Sequence, residues 1–149
     1  MSDIRELYQE LIVEHSRKPR NFGRMEGADQ EATGFNPLCG DKITIYLKME
    51  DEVVRGIRWD GAGCALNTAS ASLLSERAKD KTCAEMEALF EIFHKMVTGG
   101  VLNEAETAQL GKLAVFSGVK DFPVRVKCAT LAWHTLRAAL NGVRETVLD

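Results

Sequence analysis

Long hydrophobic runs are missing from this 149-residue sequence. None approaches the roughly 18 residues that a bilayer-spanning helix needs, and no membrane association is expected. The opening segment MSDIRELYQEL has no basic stretch followed by a continuous apolar one, so neither a signal peptide nor a membrane anchor is expected, and a cytoplasmic location is. Charge of one sign is not in excess either. Nineteen Lys plus Arg stand against 22 Asp plus Glu, a net charge of −3, with both signs mixed along the chain. No basic stripe for nucleic acid stands out. Cysteine is sparse: Cys39, Cys64, Cys83 and Cys128 are too few and too far apart for a disulfide framework that replaces a core.

What is present is ordinary for a soluble chain, with 45% apolar and 28% charged residues. The length matches one domain over residues 1–149, large enough to bury about 68–70% of the surface its unfolded chain exposes. Thiols in a reducing compartment stay free, and there they serve metal binding or catalysis more often than bridging.

Residues 3–17 place Ile4, Leu7, Tyr8, Leu11, Ile12 and His15 at helical spacing behind Ser2 or Asp3 as cap. A long polar stretch from about residue 18 to Asp41 follows, of the kind that is usually functional or mobile. Lys42–Met49 alternates strictly, with Ile43, Ile45, Leu47 and Met49 on one face, which predicts a half-buried strand. Val53–Asp60 reads as its hairpin partner, and Gly61-Ala62-Gly63 as a break. Helices are expected over 65–79 and 82–97, the latter stopped by Gly99-Gly100. Residues 101–121 carry a short helical pattern near 103–111 and an apolar patch at 113–116. The last helix starts near Pro123 and stops at Asn141-Gly142. Strands first and helices after give an α+β fold.

Three cysteines fall at junctions between these elements. Antiparallel pairing sets the start of one strand beside the end of the next, so Cys39 and Cys64 should share one edge of the sheet. Asp41, separated from Cys39 by Gly40, can turn its carboxylate to the same point. Cys64 opens a helix whose N–H groups favour thiolate, and Arg125 and Lys127 near Cys128 would do the same there. Three thiolates and a carboxylate carry four negative charges. A divalent cation would neutralise two of them, and without metal the cluster should be reactive and oxidisable.

Taken singly, each thiol is more often a small buried hydrophobe than a functional group, by roughly two to one. Position at element ends favours a site for Cys39 and Cys64 with Asp41. Cys83, amid Lys79, Asp80 and Lys81, reads as incidental. The short zinc-finger signatures fail, since there is no C-x-x-C and no histidine pair. Gly61 and Gly63 form half a dinucleotide fingerprint, but Leu66 stands where its third glycine belongs. His134 lies about 240° around its helix from Cys128 and cannot act as its catalytic partner. His15 reads as a helix-face residue, His94 as exposed, and Ser70 and Ser72 chiefly as packing residues, with a polar role near Cys64 as the minor alternative.

Read in order, NPLCGD at 36–41, GAGCALNTASAS at 61–72 and RVKCATLAWHTL at 125–136, with the opening LYQELIVEHSRKPRNFG, resemble the iron–sulfur cluster assembly proteins of the SufU and IscU group. The resemblance spans most of the chain. It implies a small antiparallel sheet of three strands packed by helices, with a further strand around 27–35. The IscU branch has a histidine immediately before its last cysteine, where this chain has Lys127, and a Leu-Pro-Pro-Val-Lys chaperone segment, which is absent. The Cys64 to Cys128 interval is also longer, with 99–119 the extra part. The resemblance is therefore closer to SufU.

Carried across by motif, Cys39, Asp41, Cys64 and Cys128 match the zinc ligands of SufU-like proteins, and Cys39 matches the sulfur acceptor. The implied reaction is a relay. A pyridoxal-phosphate cysteine desulfurase of SufS type forms a persulfide, the zinc exchanges a ligand, and the freed thiolate of Cys39 attacks the outer sulfur. Such a protein is a zinc-dependent sulfurtransferase if it is an enzyme at all, and it hands sulfur to a downstream scaffold or apo-acceptor. Arg125 and Lys127 are candidates for steering the partner or stabilising the thiolate. The alternative is a scaffold on which a transient [2Fe–2S] cluster is built and released. A hard Asp41 oxygen among thiolates would hold cluster iron weakly, which suits transient assembly. The lesser alternative is a purely structural zinc module.

Overall fold

The structure, a computed structural model, describes residues 2–148, with side chains described from Glu6 onward. The expected cap at Ser2 or Asp3 and the apolar position Ile4 fall outside the described side chains. Helix α1 (Ser2–Arg17) lays Tyr8, Leu11 and Ile12 against the core and buries His15 completely. Strands β1 (Gln30–Asn36), β2 (Asp41–Glu50) and β3 (Val53–Ala62) follow. Alternation in β2 puts Ile43, Ile45 and Leu47 into the core, and Asp51 and Glu52, both at positive φ, close its hairpin with β3. Helix α2 (Ala65–Ala78) is rich in small residues and continuously buried from Ala69 through Ser75, as a stretch without a solvent stripe must be. Helix α3 (Cys83–Val97) starts on a Thr82–Glu85 capping box.

The sheet corrects the expectation of three antiparallel strands. Among the described residues it has four, in the order β3-β2-β1-β4, because β4 (Glu145–Val147) adds to the free edge of β1 in parallel. Three residues with alternating exposure carry no periodic signal, so β4 was not legible. The strand implied around 27–35 lies at β1. Gly61 does not break the chain: it sits inside β3 opposite Ile43, at φ 148°. A Cβ there would meet Lys42 O at 2.1 Å, so close strand pairing requires this glycine.

Residues 101–121 form helix α4 (Glu104–Leu110), capped by Asn103, and a 3-10 stretch over Gly111–Asp121 that buries Leu113, Val115, Phe116 and Val119. Helix α5 (Pro123–Leu140) packs on β1 and β2, and α2 on α5. Gly34 permits that approach: a Cβ on it would lie 2.0 Å from Thr135 Oγ1. Trp133 of α5 stacks on Phe93 at 4.5 Å between ring centres, and Phe93 meets Phe116 edge-on. The polar stretch before β1 is partly tied down, with Phe22 edge-on to Trp59 at 4.9 Å and Arg20 O accepting from Trp59 Nε1. Among the described residues no helix is long and apolar enough to cross a membrane.

The serines of α2 do more than pack. Ser72 Oγ hydrogen-bonds His15 Nδ1 at 2.7 Å and accepts Arg20 N–H at 2.8 Å, tying α1 and the following segment to α2. Ser70 Oγ donates to Ala129 O, joining α2 to α5 one residue from Cys128.

Candidate metal centre

The register of the sheet places the site. Asn36 at the end of β1 faces Asp41 at the start of β2, and Lys42 faces Ala62 at the end of β3. The turn between β1 and β2 is tight: Asn36 O accepts from Cys39 N at 3.3 Å and Gly40 N at 2.9 Å, and Gly40 takes φ 72°. Cys39 rides on this turn, half-buried. Cys64 is the N-cap residue of α2 and exposed. Cys128 lies in the second turn of α5, buried.

One ligand atom each from Cys39, Asp41 and Cys128 lies within 4.8 Å of the others. The Cys128 and Cys39 sulfurs are 3.3 Å apart. Cys64 stands beside this trio, its Sγ 3.9 Å from Asp41 Oδ2. Cys64 N–H donates to Asp41 Oδ1 at 3.0 Å, so the carboxylate takes this amide at the start of α2. Cys83 lies on α3, half-buried, with its N–H given to Glu52 O.

Burial foremost, then hydrogen bonding with Cys39 and Cys64, pushes the Cys128 thiol far above its ordinary range. That direction is opposite to the one expected from Arg125 and Lys127. The exposed Arg125 guanidinium lies over the Phe122 ring at 4.7 Å, while Lys127 is half-buried. His134 packs edge-on against Phe90 at 5.0 Å, and burial, with Arg137 second, lowers it to about 4. His15 is lowered too, chiefly by burial.

Around the trio are groups that motif spacing did not single out. The Asn36 side chain is fully buried with neither amide atom hydrogen-bonded, and Asn67, in the first turn of α2, buries an unpaired Oδ1. Gly63 leaves room that the Asp41 carboxylate and the Asn67 amide crowd into. Asn67 had one faint signal, an amide inside a run of Ala, Ser and Leu. The donor chemistry fits zinc: two thiols and a carboxylate in one cluster with a third thiol at its rim are the S-rich, O-tolerant set that tetrahedral zinc takes. Bound there, the metal would hold sulfur as thiolate against the burial that otherwise keeps Cys128 protonated.

Residues 7–129 match the family described as NifU-like N terminal domain. The chain is 37% identical over 137 residues to the iron–sulfur cluster assembly scaffold protein IscU of Thermotoga maritima, covering 92% of this chain and 94% of that one. It is 34% identical over 131 residues to the zinc-dependent sulfurtransferase SufU of Bacillus subtilis, covering 87% and 86%. Among solved structures, an iron–sulfur cluster assembly scaffold protein for the SUF system from Fervidobacterium islandicum AW-1 superposes with a TM-score of 0.82 at 32% identity, covering 88% of this chain and 94% of that one.

Proposed function

Because the chain belongs to the NifU-like N-terminal domain family that includes the SufU and IscU proteins, we propose that it works in iron–sulfur cluster assembly as a zinc-bound sulfur acceptor and carrier. Cys39, Asp41, Cys64 and Cys128 are the ligands in this reading, and Cys39 is the acceptor. The observation that carries it is the meeting of Cys39, Asp41 and Cys128 within 4.8 Å, with Cys39 on a glycine-hinged turn and Cys128 locked in a helix. Of the two sulfurs 3.3 Å apart, Cys39 sits on a turn beside Gly40 and Cys128 inside a helix, so Cys39 is the one with more room to swing toward a partner.

Zinc supplies one thing here, the stabilisation of thiolate at neutral pH. The transfer step belongs to Cys39. Its Sγ, as thiolate, attacks the outer sulfur of a cysteine persulfide on a pyridoxal-phosphate desulfurase of SufS type. The S–S bond of that persulfide breaks, the desulfurase cysteine leaves as thiolate, and Cys39 keeps the sulfur as its own persulfide. No electrons are gained or lost overall. Leu38, next to Cys39 in the chain, is exposed and offers such a partner an apolar contact beside the acceptor thiol. A downstream scaffold or apo-protein would take the sulfur by the same exchange.

The second reading is a scaffold for a transient [2Fe–2S] cluster, favoured by the description of the Thermotoga relative and by an Asp41 oxygen that suits weak, releasable binding of iron. Sequence identity does not separate the two, at 37% to that scaffold and 34% to the Bacillus sulfurtransferase. Desulfurase assays with Cys39→Ala separate them. Loss of all stimulation supports the relay, and stimulation at the wild-type level overturns it.

A further inference from the structure

The site is tightest at the glycine before Cys64. A Cβ on Gly63 would lie 2.5 Å from Asp41 Oδ1, 2.9 Å from Asp41 Cγ and 2.8 Å from Asn67 Nδ2. Backbone geometry does not call for glycine here, since Gly63 lies outside the left-handed region that Gly61 and Gly40 occupy. Space calls for it. Neither neighbour can give way cheaply: Asp41 is 2% exposed and Asn67 is 1% exposed. The carboxylate sits on a one-carbon stem fixed by β2, and its Oδ1 is anchored by the Cys64 amide at 3.0 Å. On the other side, Asn67 already buries an oxygen with no partner, so pushing it deeper adds cost without offering it a new hydrogen bond.

We propose that Gly63 is a positioning residue: the room left by its missing side chain seats the Asp41 carboxylate under the Cys64 amide and aims it at the thiols of Cys39 and Cys128. The consequence for metal rests on the reading of Asp41 as a ligand; the seating itself does not. A methyl at position 63 overlaps the carboxylate. Asp41 must then leave the Cys64 N–H and swing from the cluster, while Cys39 and Cys128 stay on segments remote in sequence from the substitution. A purely structural role for Gly63 would lower stability. It would not act through Asp41.

The test uses the zinc-loaded full chain as wild type, Gly63→Ala, Asp41→Ala and the double variant. Two readouts are taken: zinc affinity by chelator competition, and the amide resonance of Cys64 in a proton–nitrogen correlation spectrum. Once the shift that a changed preceding residue itself causes is subtracted, read as the effect of adding Gly63→Ala to Asp41→Ala, Gly63→Ala is expected to move the Cys64 amide in the same direction as Asp41→Ala. It should weaken zinc about 10–100-fold, the range for groups that orient ligands, and add nothing further in the Asp41→Ala background. A Cys64 amide shift on Gly63→Ala that is the same with and without Asp41, or a Gly63→Ala affinity loss that persists undiminished without Asp41, overturns the proposal. The underlying reading fails differently: Asp41→Ala then leaves zinc affinity unchanged while still moving the Cys64 amide, and the amide alone decides the seating. Should Gly63→Ala fail to fold, recovery of the fold in the double variant supports the clash, and continued failure overturns it.

Discussion

Replacing Ser72 by alanine tests how the first helix is held to the rest of the chain. The Ser72 hydroxyl is completely buried and serves two partners, His15 Nδ1 at 2.7 Å and the Arg20 amide at 2.8 Å. His15 is 1% exposed, so its Nδ1 has no water to turn to and losing this partner costs about 1–3 kcal/mol. The Arg20 amide is only part-buried, and its loss is nearer to about 1 kcal/mol. Ser72→Ala should therefore destabilise by about 2–4 kcal/mol, a fall of about 4–16 °C in Tm for a chain of this length. Urea unfolding of Ser72→Ala, His15→Phe and the pair measures it, and the pair should lose about 1 kcal/mol less than the sum of the singles because both remove one bond. Zinc affinity should stay within twofold, since Ser72 lies eight residues, about 12 Å of helix, beyond Cys64. A loss below about 0.5 kcal/mol, or strict additivity, would refute the joint.

Gly34→Ala forces a methyl to within 2.0 Å of Thr135 Oγ1 and 3.2 Å of Leu131. Overpacking of this kind costs about 1–3 kcal/mol or more, read as a lower urea midpoint, and an unchanged midpoint would mean that α5 sits further from β1. His134 binds its proton at about 4 in the folded chain against 6.5 ordinarily, so as pH falls the unfolded chain takes up the proton first. Its contribution is full above pH 6.5 and is lost between 6.5 and 4, on the order of 1–2 kcal/mol after allowing for its partial exposure. Wild type should lose Tm across that window faster than His134→Phe, and parallel slopes would contradict this. Chelation of the metal should leave far-UV circular dichroism close to native, because the packed residues Trp133, Phe93, Phe116, Ile43 and Leu73 form a core that needs no ion. Unfolding on chelation would favour a structural zinc module instead.

The elements with strong periodicity were legible in the sequence. The alternation at Ile43, Ile45 and Leu47 located β2, and the run over 65–79 located α2. Antiparallel pairing was enough to set Cys39 and Asp41 at the same sheet edge as Cys64, and register carries that inference through Lys42 and Ala62. What stayed hidden was decided by tertiary contact. The strand at Glu145–Val147 forms by pairing with the edge of β1, where Thr33 N–H finds Arg144 O and Leu148 N–H finds Phe35 O. Gly61 reads locally as a breaker, yet close strand pairing holds it inside β3. Ser72 reads as a small packing residue, because nothing in spacing reveals that His15 and Arg20, over fifty residues away, converge on its hydroxyl. The Cys128 thiol shows the same limit. Neighbouring Arg125 and Lys127 argue for thiolate, but burial and the other thiols outweigh them in the folded chain.

Sulfur loading at Cys39 tests the central claim most directly. Protein purified without oxygen is incubated with a pyridoxal-phosphate cysteine desulfurase and cysteine, then alkylated and mapped by mass spectrometry, with zinc measured on the same sample. The relay predicts about one zinc per chain and one added sulfur on Cys39, absent from Cys64, Cys83 and Cys128 and absent altogether from Cys39→Ala. Sulfur that loads on another cysteine, or a near-stoichiometric cluster in place of zinc with no persulfide at Cys39, would contradict it.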